Sequence, residues 1–432
     1  MTIEAPQSHQ PTKTATQIAA IAESQKPWVL LSRVLQFQSP DHKLWWDRLA
    51  PVIGPTLEHT GYSRDAQYRN LLVIYSALVP SLGPFPNQTR SNLTWKGVLP
   101  NDSGPLEASV NYQQGPKAVF RIAIEPIGPH AGTEADPVNE FAAKQMLQRL
   151  CLIQPGVDFT WFDHLSPAIG IDGPEARKNW DSISHLPFKS HTTMGLDLNE
   201  GNFTAKSYLG PFVRSAITGK EGINIIFDGL RQLRDTNLLN LDWSAVEKYM
   251  LANREKLLVE KSYVSFDCKS PAQSRIKLYA EAHVTSLTEV YDYWTLGGHL
   301  QGTDIEKGFE IIEKMWKSLY HKELPNGKHR EAMRVQLNWE MSPKDGSVVP
   351  KMYFLVRDDY DVHVSSAVVD LFEDLGWDEH IQTHKTIEKE AYSKCDFATR
   401  TDCYLWLSFA YSSKSGPYIT VYTNPVARFA GE

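Results

Sequence analysis

The sequence predicts an α+β fold in which ten antiparallel strands close into a barrel surrounded by helices. Three observations predict it. Ten segments of period-two alternation fall into five consecutive pairs, and each pair follows segments of helical period. The pairs recur at near-constant spacing: Lys277 follows Lys206 by 71 positions, Lys351 follows Lys277 by 74, and Tyr422 follows Tyr353 by 69. Such a period marks an internal repeat, here five cycles of helices followed by a hairpin. The strand faces also differ, one apolar and one polar-aromatic. Helices that precede hairpins, rather than crossing between parallel strands, exclude a TIM barrel.

Residues 1–25, rich in Thr, Gln, Ala and Ser, read as a mobile tail, and 26–432 as a single domain. Helical spacing covers 41–59 and continues through Leu71, Ile74 and Leu78; a Pro/Gly/Asn-rich loop follows at 82–105. The first hairpin, 106–112 and 117–125, turns at Gln113-Gln114-Gly115-Pro116. After a helix at 138–152, strands 190–198 and 203–209 flank Asn199-Glu200-Gly201-Asn202. Helices at 211–217, 221–236 and 243–256 lead to strands 260–268 and 274–280; helices at 285–294 and 304–321 lead to 332–340 and 350–357. A helical region at 365–390 precedes the last pair, 403–411 and 418–424.

In 332–340, Arg334, Gln336, Asn338 and Glu340 oppose Met333, Val335, Leu337 and Trp339. In 403–411, Tyr404, Trp406 and Ser408 are expected to share one face. Apolar faces would pack under the helices while polar faces line a lumen, and ten strands enclose enough space for a ligand. The plainer alternative is an open sheet whose polar face meets water.

Composition is that of a globular protein, 42% apolar and 22% charged, with 12 Trp. A net charge of −7 argues against a general nucleic-acid or anionic-membrane binder, so any cationic site is local. The four scattered cysteines form no metal-ligand or redox spacing, no apolar run is long enough to span a bilayer, and the N-terminus carries no leader pattern. These features predict a cytoplasmic protein.

The chemistry concentrates on the strands. In Arg275-Ile276-Lys277-Leu278-Tyr279, alternate residues put Arg275, Lys277 and Tyr279 on one face. The two cations then stand about 7 Å apart, repelling by about 2 kcal/mol at an effective dielectric of 20. In an enclosed space they need an anionic partner. Lys206-x-Tyr208 and Lys351-x-Tyr353 repeat the arrangement, and Arg121 lies in the first hairpin. One such pair would be an ordinary solvated face; the recurrence points to a shared anion site.

With Pro105-Leu106-Glu107 opening the first hairpin and Tyr418 and Tyr422 in the last strand, these motifs make residues 28–428, approximately, resemble the fungal aromatic prenyltransferases of the dimethylallyltryptophan synthase type. The resemblance implies a prenyltransferase barrel, built from αββα units, that joins the isoprenoid of dimethylallyl diphosphate to an aromatic ring, most often an indole. It implies no obligatory metal, with Mg²⁺ or Ca²⁺ enhancing rather than enabling the reaction; pairing into a homodimer is left open. Breaking an allylic C–O bond calls for fixed positive charge at the leaving diphosphate, which Arg121, Lys206, Arg275, Lys277 and Lys351 would supply. Tyr208, Tyr279, Tyr353, Tyr418 and Tyr422 would shield the allyl cation with their ring faces. Glu107 would accept the indole N–H, Trp406 would stack on the acceptor, and Lys189 is the positional match for the base that removes the ring proton. Tryptophan and tryptophan-containing cyclic dipeptides are the favoured acceptors. Tyrosine or other phenols, or a non-catalytic barrel binding an anionic ligand, are the alternatives. Asp358-Asp359-Tyr360-Asp361 directly follows a strand and reads as a turn rather than a metal site.

Overall fold

The computed structural model of the protein describes residues 25–99, 104–320 and 330–427. Except for Gln25, the expected N-terminal tail lies outside them. Ten strands form a closed barrel: β1 (Leu106–Gln113), β2 (Ala118–Ile124), β3 (Thr192–Leu198), β4 (Phe203–Leu209), β5 (Tyr263–Asp267), β6 (Ile276–Val284), β7 (Met333–Met341), β8 (Val348–Leu355), β9 (Tyr404–Ser412) and β10 (Gly416–Thr423). Neighbours in sequence are neighbours in space, all antiparallel, and β10 closes on β1. Closure leaves no sheet edge to pair with another chain.

Alternation sorts the side chains. Leu106, Ala108, Val110 and Tyr112 of β1 belong to the core between barrel and helices, as do Met333, Val335, Leu337 and Trp339 of β7. The helix Gly222–Asp235 shows how the outer layer attaches. Ile223, Ile226, Phe227, Leu230 and Leu233 recur at helical spacing and are all buried, while Arg231 and Asp235 stay at the surface. Serine caps start several helices: Ser39 accepts from His42 N at 3.2 Å and Ser63 from Ala66 N at 3.2 Å. The 365–390 region is two helices, Asp361–Asp374 and Asp378–Ala391, separated where Gly376 takes φ +68°.

One face assignment is corrected. Between the pairs Tyr422–Trp406 and Thr423–Tyr404, residue Leu405 is extra, so β9 carries a bulge. The bulge turns Tyr404 out into the helical layer, where its hydroxyl donates to Glu388 and lies 3.0 Å from His384 Nε2. Leu405 joins Trp406, Tyr279 and Tyr353 on the inside instead. The start of β9 is held by Asp361, whose carboxylate accepts the N–H groups of Cys403 at 3.2 Å and Tyr404 at 3.0 Å. Asp359 is committed to an ion pair with Arg330. The acidic run therefore anchors backbone and the segment leading into β7 rather than converging.

Candidate active site

The lumen is layered. At its lowest level, strand register places charges of alternating sign around the wall: Arg121 opposite Asp197, Lys206 opposite Asp267, and Lys277 opposite Glu340. Arg121 Nε lies 3.2 Å from Asp197 and Lys206 Nζ 2.5 Å from its other oxygen. Arg275, just below β6, reaches Asp267 at 2.7 Å and Glu340 at 2.8 Å, while Lys277 stands 3.8 and 3.4 Å from the same two carboxylates. Lys351 differs. It meets no carboxylate among the described residues; its ammonium lies 5.0 Å from the Tyr353 ring centre, 5.1 Å from that of Tyr418 and 3.5 Å from Thr420 Oγ1.

Four cations thus share three carboxylates and Lys351 adds a fifth positive charge, and the titration behaviour follows. Burial drives the Asp197 carboxyl up, but Arg121 and Lys206 outweigh it and hold it well below the usual range. Asp267 is held at about 2 against its burial by Lys277 and Arg275. Burial, with Lys277 and Arg121 nearby, lowers Lys206 to about 8 despite Asp197. Lys351, buried and facing Arg121, Lys277 and Lys206, falls well below the ordinary lysine value. An anion entering here would relieve the surplus of positive charge.

Above the charges runs a belt of phenol rings. Tyr208 and Tyr279 have centroids 6.1 Å apart, Tyr279 and Tyr353 6.3 Å, and Tyr353 and Tyr422 5.9 Å. Tyr263, which the sequence reading missed, stacks on Tyr279 at 4.3 Å. Tyr418 sits lower than expected: it accepts from Arg121 and its ring lies 5.2 Å from that guanidinium.

Above the belt is a chamber of about 1170 Å³ lined by Tyr208, Tyr263, Tyr279, Tyr353, Tyr422 and Glu107, among others. None of the five cations is on its wall; the tyrosines lie between. Glu107 stands on β1 opposite Ala123 of β2 and is only 7% exposed. Its Oε1 has no hydrogen-bond partner. Burial raises its pKa to about 7, against the pull of Arg357. At the rim, Glu281 holds Arg334 at 2.5 Å and Lys261 at 3.5 Å, and Arg334 lies 6.0 Å over the Trp406 ring.

Lys189 is not brought to the chamber. Its ammonium lies 5.5 Å over the ring of Trp180, a partly exposed residue, although its neighbours Phe188, Ser190 and His191 are on the wall. Sequence numbering matched its position but not its direction, because β3 begins only at Thr192 and no strand fixes the alternation before it. His191 does face the site, buried, with its pKa lowered to about 4 by burial and then by Arg214. The partners Asp197 and Asp267 were also missed, although period-two alternation places Asp197 with Thr193 and Asp267 with Tyr263.

A buried carboxylate with one unpartnered oxygen, a π-rich belt and a surplus of cations are stacked along one axis. Such an arrangement can split an anionic leaving group from an organic cation and present that cation to a polarised acceptor.

Known proteins resemble this chain over most of its length. Residues 41–386 match the family model described as tryptophan dimethylallyltransferase. The reverse prenyltransferase criA of Aspergillus cristatus is 28% identical over 420 residues, covering 94% of this chain and 96% of that protein. Tryptophan dimethylallyltransferase 1 of Claviceps purpurea (strain 20.1) is 28% identical over 411 residues, covering 91% and 90%. The crystal structure of AnaPT from Neosartorya fischeri has a TM-score of 0.83 at 25% identity and covers 94% of this chain and 100% of that one. NotF prenyltransferase also gives 0.83 at 25% identity, over 93% and 99%.

The raised Glu107 pKa carries a stability prediction. The folded state binds this proton more tightly than the unfolded chain, so the stability it contributes is present below pH 4.5 and lost as pH rises through 7. The loss is about 3 kcal/mol. Glu107→Gln removes it: the variant's melting temperature should match wild type near pH 4 and exceed it by several degrees at pH 8. An equal difference at both pH values would contradict the assigned environment.

Proposed function

Since the chain belongs to the tryptophan dimethylallyltransferase family, we infer that it transfers the dimethylallyl group of dimethylallyl diphosphate to an indole by electrophilic aromatic substitution. The observation that carries this reading is the placement of Glu107, a buried carboxylate with an unpaired oxygen, across a tyrosine belt from a cluster with more cations than anions.

The diphosphate seats below the belt, where Arg121, Lys206, Arg275, Lys277 and Lys351 receive the negative charge that develops as the allylic C–O bond breaks. Their present partners Asp197, Asp267 and Glu340 hold the cations in place beforehand, so binding exchanges ion pairs rather than assembling charge anew. Lys351, without a carboxylate, takes up a proton as the anion arrives. The allyl cation forms beside Tyr208, Tyr279, Tyr353 and Tyr422, whose faces attract it by about 0.5–2 kcal/mol each and exclude water. The indole lies in the chamber with its N–H donated to Glu107. As the ring attacks, positive charge spreads onto that nitrogen and the hydrogen bond strengthens, so Glu107 acts mainly in the transition state.

The chamber volume suits an acceptor larger than a free amino acid, since pockets of about 300–1,000 Å³ already enclose drug-sized ligands. A tryptophan-containing cyclic dipeptide or a related indole amide is the preferred class. Trp406 at the rim packs against its non-indole part.

Two tests follow. Glu107→Gln should lower kcat with an indole acceptor by roughly 10²–10³-fold while diphosphate affinity barely moves, as for loss of a group acting in the transition state. Loss of diphosphate binding in that variant would refute the role. Because Lys206 gives up its proton near pH 8, the affinity for a thiolated dimethylallyl diphosphate analogue should weaken roughly tenfold between pH 7.5 and 9.5. The dependence should become shallower in Lys206→Arg, the remainder belonging to Lys351; a slope that this substitution leaves unchanged would remove Lys206 from the site.

A further inference from the structure

Between Pro84 and Leu99 the chain runs without regular secondary structure along the outer half of the chamber, with Pro84, Pro86, Arg90 and the whole of 93–99 on its wall. Trp95 is the one buried side chain in this strap. Thr94 Oγ1 donates to Ala131 O at 2.9 Å, and several other groups of 93–99 converge on one carboxylate. Glu125 is fully buried. It accepts the Trp95 indole N–H at 2.6 Å and the Val98 N–H at 2.6 Å, and the Leu99 N–H and Ser190 hydroxyl approach the same group. The seat is tight, for a Cβ on Gly97 would stand 2.6 Å from Glu125 Oε2.

Glu125 also belongs to the hairpin that carries Glu107. Its own N–H bonds Pro105 O at 2.8 Å, and it lies two residues beyond Ala123, which stands opposite Glu107. A single side chain therefore fastens the strap to the strand pair that orients the acceptor.

We propose that Glu125 is a positioning residue: it latches the 84–99 strap over the acceptor chamber and so sets whether indole or water captures the allyl group. The proposal rests on the prenyl-transfer reading above. In both outcomes the allylic C–O bond breaks and pyrophosphate leaves. With indole, a bond forms to a ring atom and the ring loses a proton. With water, a new C–O bond forms and one proton passes to solvent, giving dimethylallyl alcohol. A closed strap keeps the second course slow.

Trp95→Phe deletes one donor to the latch and keeps an aromatic ring; Glu125→Gln keeps the shape and removes the charge. Each is incubated with dimethylallyl diphosphate and a tryptophan-containing cyclic dipeptide, and prenylated product, dimethylallyl alcohol and pyrophosphate are quantified together. The ratio of alcohol to prenylated product should rise roughly tenfold in both variants, about the effect of a lost charge-assisted hydrogen bond. KM for the acceptor should rise, and affinity for the thiolated analogue should stay within about twofold of wild type, since none of the five seat cations is on the chamber wall that the strap lines. A ratio unchanged while turnover falls would overturn the latch, because a merely structural defect slows both courses alike. A wild-type protein that binds the analogue yet yields no prenylated indole would overturn the prenyl-transfer reading instead. The latch is then judged on alcohol released without acceptor, which equal rates in wild type and Trp95→Phe would refute.

Discussion

The structure depends on gathering five cations and three carboxylates, buried or half-buried, at one level of a closed barrel. Taking charge out of water is costly unless each charge finds a close partner. Here strand register supplies those partners: Asp197 sits between Arg121 and Lys206, and Asp267 and Glu340 between Lys277 and Arg275. No single hairpin could do this, because the members come from seven different strands and the residue preceding β6. Ring closure brings them together, and the apolar outer faces packed under the helices hold the ring closed.

The imbalance in that layer matters as much as the pairing. A neutral set would be a structural network with no need of a ligand. The surplus falls on Lys351, which rests against the rings of Tyr353 and Tyr418 with its charge disfavoured. Glu107 is the mirror case above the belt, a carboxylate whose burial also disfavours charge. In the proposed reaction each of these two groups meets a substrate part of opposite character, an anion below and an N–H donor above. Stability given up at both ends is what lets the site discriminate. Between them the tyrosines separate the two polar zones with surfaces that tolerate a passing cation.

Much of this was legible in the sequence because the strand period is two and the repeat is regular. Lys-x-Tyr on successive hairpins placed cations and phenols on one face, and the structure brings Lys206, Lys277 and Lys351 into one layer and Tyr208, Tyr279 and Tyr353 into the next. What failed to show had local causes. The bulge at Leu405 shifts β9 by one residue, which no composition signal announces, and Tyr404 changes face with it. Lys189 precedes the first hydrogen-bonded residue of its strand, so its direction is set by Trp180 and not by the pleat. The strap of 84–99 reads as a Pro/Gly/Asn-rich loop because its order comes from Glu125, a residue of the distant hairpin.

The central claim is that a diphosphate displaces carboxylates from the buried cation layer. The most direct measurement is a crystal structure with the thiolated dimethylallyl diphosphate analogue. Both phosphate groups should lie within about 4 Å of Lys206, Lys277 and Lys351, as charge-assisted contacts require, with Asp197 drawn away from Lys206. A diphosphate bound at the rim beside Arg334 and Lys261, with the Lys206–Asp197 pair intact below the tyrosines, would contradict the account.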